Sequence, residues 1–264
     1  MPQRLPRSRC SDPVTAIRVV ARETVGSTNE EALMLARAGE RGPLWITARA
    51  QSAGRGRRGR AWASPPGNLY ASLLLTDPSP PERAPQLSFV AALAVCDAVA
   101  AAVSALVAKL SLKWPNDLLI GEKKFAGILI EAESSSPSAV VVGIGVNCVH
   151  HPDDTSYPAT DLAAAGAAVA PDELLDRISS AMSARLAQWD RGAGFAQIRT
   201  EWLAHAAGLG QEICLKLADC DHMGRFETLD ETGRLILRLP GGAREVISAG
   251  DVVSVGPLPL TARQ

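Results

Sequence analysis

Aromatic side chains make up only 4% of this 264-residue sequence, and its formal net charge is −1. A protein that grips nucleic acid along a surface usually carries a basic surplus and aromatic stacking partners, so both shortages count against that role. Metal-ligand spacing is missing too. Cys10, Cys96, Cys148, Cys214 and Cys220 are odd in number and scattered, with no C-x-x-C and no His/Cys cluster. That pattern argues against a zinc site and for a reduced, cytoplasmic protein. No apolar run follows the basic, Pro-rich start MPQRLPRSRCSDP, so residues 1–15 read as a disordered tail and not as a secretion signal. The one long apolar stretch, residues 87–110, is rich in alanine and carries Asp97 near its middle. A long buried helix packed on a sheet accounts for it better than a membrane span. There is no internal repeat.

The length suits one large domain, or a large one plus a small one. The pattern changes near residue 208, which sets expected domains at 16–208 and 209–264. In the first, strands are expected at 16–25, 44–50, 68–75, 125–133 and 139–147, and helices after GSTN, near 85–108, at 171–189 and at about 195–206. Ser27 with Glu30, or Thr28 with Glu31, has capping-box spacing. Gly121-Glu122 suits a tight hairpin turn. Leu174, Leu175, Ile178, Met182, Leu186 and Trp189 fall on one helical face, behind Pro171 and two acids that suit a helix N-terminus. After 208 only short strands appear, separated by DCDHMG, DETG and PGGA. They suggest a small antiparallel barrel whose thin core leans on the larger domain.

Residues 53–60, AGRGRRGR, contain a literal G-x-G-x-x-G at Gly54, Gly56 and Gly59. A dinucleotide-binding turn requires a helix directly behind the glycines. Here Pro65, Pro66 and Gly67 follow instead, and no G-K-[ST] makes a phosphate loop. Arg55, Arg57, Arg58 and Arg60 crowd one short segment. The bland reading is a solvated basic loop. The functional one is a loop that is mobile when empty and orders on a small polyanion, since the guanidinium fork grips phosphate or carboxylate in two places.

A second constellation spans LKWPNDLLIGEKKFAGILIE, residues 112–131. Pro115 favours an extended Trp114 and places Lys113 at a strand end, with Asn116-Asp117 as a turn. Asp117 could hold Mg²⁺, and Lys113 could neutralise charge on a carboxylate–phosphate adduct; an ordinary turn is the alternative. Gly127, Gly143 and Gly145 interrupt strands that read as buried. Either a ligand lies across them or a β-bulge does. His150 and His151 read as a surface pair, and Glu131 and Glu133 share a strand face without an evident partner.

In order and spacing, GSTN, QSAGRGRRGR-AW, KWPND, KFAGILIE and GIGVN resemble the motifs of biotin protein ligases over about residues 20–255. The resemblance implies an α+β fold: a mixed, mostly antiparallel sheet with packed helices, the biotin/lipoate ligase catalytic fold, followed by a small C-terminal SH3-like β-barrel. It implies biotin activation by Mg·ATP to biotinyl-5′-AMP and transfer to a lysine of the biotin carboxyl carrier protein of acetyl-CoA carboxylase. By motif, Ser27, Thr28, Asn29, Gln51 and Gly127 would meet biotin. Arg55, Gly56 and Arg57 would hold the ligand and cover the adenylate, with Arg58, Arg60 and Trp62 on its nucleotide side. Lys113 would bridge the biotin carboxylate and the α-phosphate, making Lys113 and Arg57 the catalytic pair. Asn116, Asp117 and Asn147 would serve ATP and metal. Some members carry an N-terminal winged-helix repressor domain, which needs on the order of 50 residues and a recognition helix. The 26 residues before Ser27 are Pro/Arg-rich, so no DNA partner is expected, and no membrane partner. A homodimer and a monomer both stay open. Lipoate or octanoate ligases, and a non-catalytic biotin-binding module, are the alternatives.

Overall fold

The computed structural model describes residues 17–133, 137–155, 157–217 and 221–255; the tail expected at 1–15 lies outside them. The strand signals resolve into β1 (Arg18–Val25), β2 (Leu44–Gln51), β3 (Leu69–Thr76), β4 (Leu110–Lys113), β5 (Asp117–Ile120), β6 (Lys123–Glu133) and β7 (Ala139–Val146). They form one sheet in the order β1-β2-β3-β7-β6-β5-β4, parallel between β1 and β2 and antiparallel elsewhere. The helices are α1 (Thr28–Arg37), α2 (Leu87–Ala102), α3 (Pro171–Trp189) and α4 (Phe195–Ala204).

Two-residue alternation sorts the sheet's side chains. Leu44, Ile46, Leu74, Ala139 and Val141 meet α1 on one face through a small core. Trp45, Leu73, Val140, Val142 and Ile144 point the other way, into a large core with α2, α3 and α4. Beyond the reach of α1, its face of the sheet is left open, and the candidate site forms there. α2 is apolar on every side because the sheet lies on one flank and α3 on the other. The helical stretch Pro81–Ala102 is long and apolar enough to cross a membrane, yet 72% of its most apolar window is buried inside this protein. α2 stops at Ala102, short of the expected 108; tight 3₁₀ turns occupy Ser104–Lys109.

The capping box does not form: the Ser27 side chain makes no capping hydrogen bond at the start of α1. Instead Gln51, at the end of β2, accepts from the Thr28 backbone amide (2.8 Å) and hydroxyl (3.1 Å), while Glu31 pairs with Arg22. A strand therefore supplies the cap that the local sequence was expected to supply, which also fixes where α1 begins.

The second sheet comprises β8 (Glu212–Lys216), β9 (Asp221–Leu229), β10 (Leu235–Arg238), β11 (Arg244–Ile247) and β12 (Asp251–Val255), antiparallel in the order β11-β10-β9-β8-β12. This is the small all-antiparallel unit expected of an SH3-like barrel. Part of DCDHMG, read as a turn, belongs to β9, which begins at Asp221. Ile213, Leu215, Phe226, Leu235, Leu237 and Val252 join the same core as α2. Trp114 donates its indole N–H to the Gly233 carbonyl (3.1 Å), and Gly233 lies against Phe89 and Phe195.

Candidate active site

A cavity of about 570 Å³ opens on the α1 face of the sheet. Alternation brings Tyr70 of β3, Gly143 and Gly145 of β7, Gly127 and Leu129 of β6, and Lys113 and Asp117 of the β4–β5 hairpin to its wall. The N-terminus of α1 contributes Ser27, Thr28 and Asn29, and the end of β2 contributes Gln51. Among the described residues, seven basic side chains line the cavity against two carboxylates, Asp117 and Asp251.

Of the two expectations for the strand glycines, the bulge does not hold on β7, while Gly127, Gly143 and Gly145 all line the cavity. The β7 register is continuous through both glycines, so there is no bulge there. The space above them is filled by protein: a Cβ at Gly145 would lie 2.7 Å from Trp62 Cε2, and one at Gly143 would overlap the Asn29 carboxamide. Asn29 donates to Glu131 (2.8 Å) and accepts from Ser72 (2.6 Å). Glu131, for which no partner was foreseen, thus braces Asn29, and it also reaches Arg55 (3.4 Å); Glu133 pairs with Arg37. Trp62 lies flat over Gly145 and Gly127, and its buried Nε1 has no hydrogen-bond partner among the described residues.

The arginine loop, expected to lack anions when empty, finds them elsewhere in the chain. A narrow hairpin runs from Gly54 to Trp62, closed by Trp62 N–H to Gly54 O (2.9 Å) and Gly56 N–H to Arg60 O (2.7 Å). Gly54 must be glycine, because a Cβ there would sit 2.6 Å from the Trp62 carbonyl. Arg57, Arg58 and Arg60 all converge on Asp251 of β12, at 3.2, 3.4 and 3.0 Å. Arg57 also donates to Asn116 Oδ1 (3.2 Å) and to the Gly250 carbonyl (3.1 Å). Burial lowers the Arg57 pKa, and Asp251 opposes that shift. Arg55 pairs with Glu30 on α1 as well as with Glu131.

Asp117 reaches Lys124 Nζ at 2.5 Å and Lys113 Nζ at 3.5 Å. A carboxylate bridging two ammoniums is a brace for them and does not fit the Mg²⁺ ligand expected at this position. No group of three His, Cys, Asp or Glu side chains suited to a metal occurs among the described residues. Asn116 ties its turn to β6 by exchanging hydrogen bonds with Ile128, which leaves its Oδ1 for Arg57. Of the expected site residues, Asn147 alone is absent from the cavity wall. It is buried behind β7 and donates to the Thr160 carbonyl (3.1 Å), so it anchors a loop and does not face a nucleotide. His150 is exposed as expected, but His151 turns inward to Asp161 (2.5 Å).

Sequence reasoning missed Lys124, Tyr157 and Asp251, all on the cavity wall. The β5–β6 register shifts between Leu118 and Leu119, so Phe125 and Ala126 both enter the core and Lys124 turns to the open face. Plain alternation from Gly127 would have buried it. The ring of Tyr157 lies 5.1 Å from Lys124 Nζ and 5.9 Å from Lys113 Nζ.

Residues 21–147 match the Biotin/lipoate A/B protein ligase family, and residues 208–254 match the Biotin protein ligase C terminal domain. The biotin–[acetyl-CoA-carboxylase] ligase of Paracoccus denitrificans is 46% identical over 234 residues, covering 86% of this chain and 96% of the relative. The enzyme of that name from Mycobacterium tuberculosis is 37% identical, covering 86% and 85%. Among solved structures, the biotin protein ligase of Aquifex aeolicus in complex with biotin and ATP superposes with a TM-score of 0.75 at 28% identity, covering 89% of this chain and 97% of that one. Matched along both of its sheets, the chain belongs to the biotin/lipoate A/B protein ligase family, as a member with the biotin protein ligase C-terminal domain.

Proposed function

We propose that this chain is an ATP-dependent biotin protein ligase. The biotin carboxylate attacks the α-phosphorus of ATP; the new O–P bond forms as the bond to the β-phosphate oxygen breaks, and pyrophosphate leaves. A lysine amine of the carrier domain of acetyl-CoA carboxylase then attacks the acyl carbon of biotinyl-5′-AMP, and AMP leaves. The single observation that carries this reading is the lining of one cavity, which joins two unlike sets of groups. Ser27, Thr28, Asn29 and Gln51 share it with the apolar Tyr70, Ile128, Leu129 and Ile144, and four arginines and three lysines line the same cavity. An apolar acid with a polar head fits the first, and a nucleotide's phosphates fit the second.

Two anions must meet for the first step. In this reading Lys113 and Lys124 offset their repulsion where the carboxylate and α-phosphate join. Arg55, Gly56 and Arg57 close over the adenylate, Arg58 and Arg60 exchange Asp251 for phosphate, Trp62 flanks the base, and Asn116 orients Arg57. An acyl-phosphate hydrolyses readily, so a loop that excludes water protects it until the carrier arrives. When Mg²⁺ takes part it lowers charge on the phosphates, and no described residue is assigned to hold it.

Biotin-dependent release of pyrophosphate from ATP, followed by labelling of a carrier lysine, tests the reading. Equal turnover with lipoate would move the chain to the lipoate branch, and biotin binding without pyrophosphate release would make it a binding module. We further infer a cytoplasmic enzyme that does not bind operator DNA, consistent with a net charge of −1; a gel shift should show no retarded band.

A further inference from the structure

Lys113 and Lys124 are two like charges brought to one place. Asp117 is shared between them and offsets only one. Lys124 also lies over the Trp62 ring (5.3 Å), but the ring of Tyr157 is within cation–π distance of both ammoniums and so joins the two. The ring does not rest there by chance packing of a loose loop. Its segment is bonded to the backbone of Lys124 on both sides of Ala159: Lys124 N–H donates to the Pro158 carbonyl (2.9 Å), and Thr160 N–H donates to the Lys124 carbonyl (2.9 Å). Asn147 fixes the Thr160 carbonyl, and the His151–Asp161 pair draws the two legs of the loop together.

The chemistry explains why a ring serves here better than a second acid. Another carboxylate would cancel the remaining positive charge and compete with phosphate for the same N–H groups. An aromatic face attracts a cation through its quadrupole, carries no net charge and takes up no N–H donor. We propose that Tyr157 is a positioning residue for adenylate formation: its ring holds Lys113 and Lys124 side by side, with their charge undiminished and their N–H groups turned to the anions. The proposal rests on the ligase reading and adds to it a residue outside every motif that carries the family resemblance.

The test uses the full chain and biotin-dependent pyrophosphate release. Tyr157→Phe should keep turnover within about 2-fold, and Tyr157→Leu should lower it about 10-fold with the biotin KM within about 2-fold, as expected when charge placement is lost and ground-state binding is kept. Mono-, di- and trifluorophenylalanine at 157 preserve shape and fold while draining the ring's negative face, so turnover should fall stepwise along that series. A flat fluorine series, or a Phe variant as slow as Leu, overturns the proposal; the second result would assign the role to the hydroxyl. Wild-type protein that released no pyrophosphate would instead overturn the ligase reading and this inference with it, whereas an active wild type with a flat series sinks the inference alone.

Discussion

Asn29 and Trp62 each occupy the place where a β7 side chain would otherwise stand, and at this scale the site depends on what β7 omits. A Cβ at Gly145 would press 2.7–2.9 Å against three atoms of the Trp62 indole. Gly145→Ala should therefore lift Trp62 from its floor and weaken biotinyl-5′-AMP binding about 10-fold, or about 1.4 kcal/mol, with an unchanged thermal midpoint; titration calorimetry beside a melting curve separates the two effects. Lys113→Ala should slow adenylate formation about 100- to 1000-fold, the cost of removing one placed donor from a site of developing charge. Single-turnover pyrophosphate release is the measurement, and a variant near wild type would remove Lys113 from the chemistry. Residues placed by their own strand, such as Lys113 on the cavity wall, were legible as site candidates in the sequence. Lys124 was not, because a register shift on β5–β6 reverses the alternation that would have buried it.

Elements meet at the arginine loop. β12 brings Asp251 under Arg57, Arg58 and Arg60 across about 190 positions of chain, and nothing local in AGRGRRGR announces that contact. This is why the loop read as an unpaired, mobile cluster, and why the capping box at Ser27 failed: Gln51 reached α1 from a different strand. Alternation and turn residues fix elements, whereas caps and ion pairs are settled by whatever the fold carries alongside. Each of the three pairs is partly exposed and worth under about 1 kcal/mol. Together they hold the loop by about 1–2 kcal/mol, an opening equilibrium shifted about 5- to 30-fold. Asp251→Ala should accelerate limited trypsin cleavage after Arg57, Arg58 or Arg60 by that factor, read by mass spectrometry of the fragments. An unchanged cleavage rate would mean that Asp251 does not restrain the loop.

For the molecule as a whole, one cation ties three helices together: Arg185 of α3 bonds Asp97 of α2 (2.7 Å) and Glu201 of α4. Because Asp97 and Glu201 are about one-third to two-fifths exposed, screening limits the loss on Arg185→Met to about 1–2 kcal/mol, visible as a lower urea midpoint. Burial raises the Glu201 pKa, but hydrogen bonds from Arg185 and Gln188 outweigh it, so the net shift is downward from 4.5. The stability that Glu201 contributes is thus complete above its ordinary value and fades as pH falls through the depressed one. The gap between wild type and Arg185→Met should narrow below about pH 4; a constant gap would show that the pair is not linked to folding. The core shared by the two sheets has a consequence for biosynthesis. As a ribosome threads the chain out, Phe89, Trp114 and Phe195 emerge well before Gly233, Leu237 and Val252, which complete their surroundings. Until then Phe89 of α2, Phe195 of α4 and Trp114 stand bare at one end of the large unit, so a chaperone would find its handhold there and let go only once translation has delivered the second sheet.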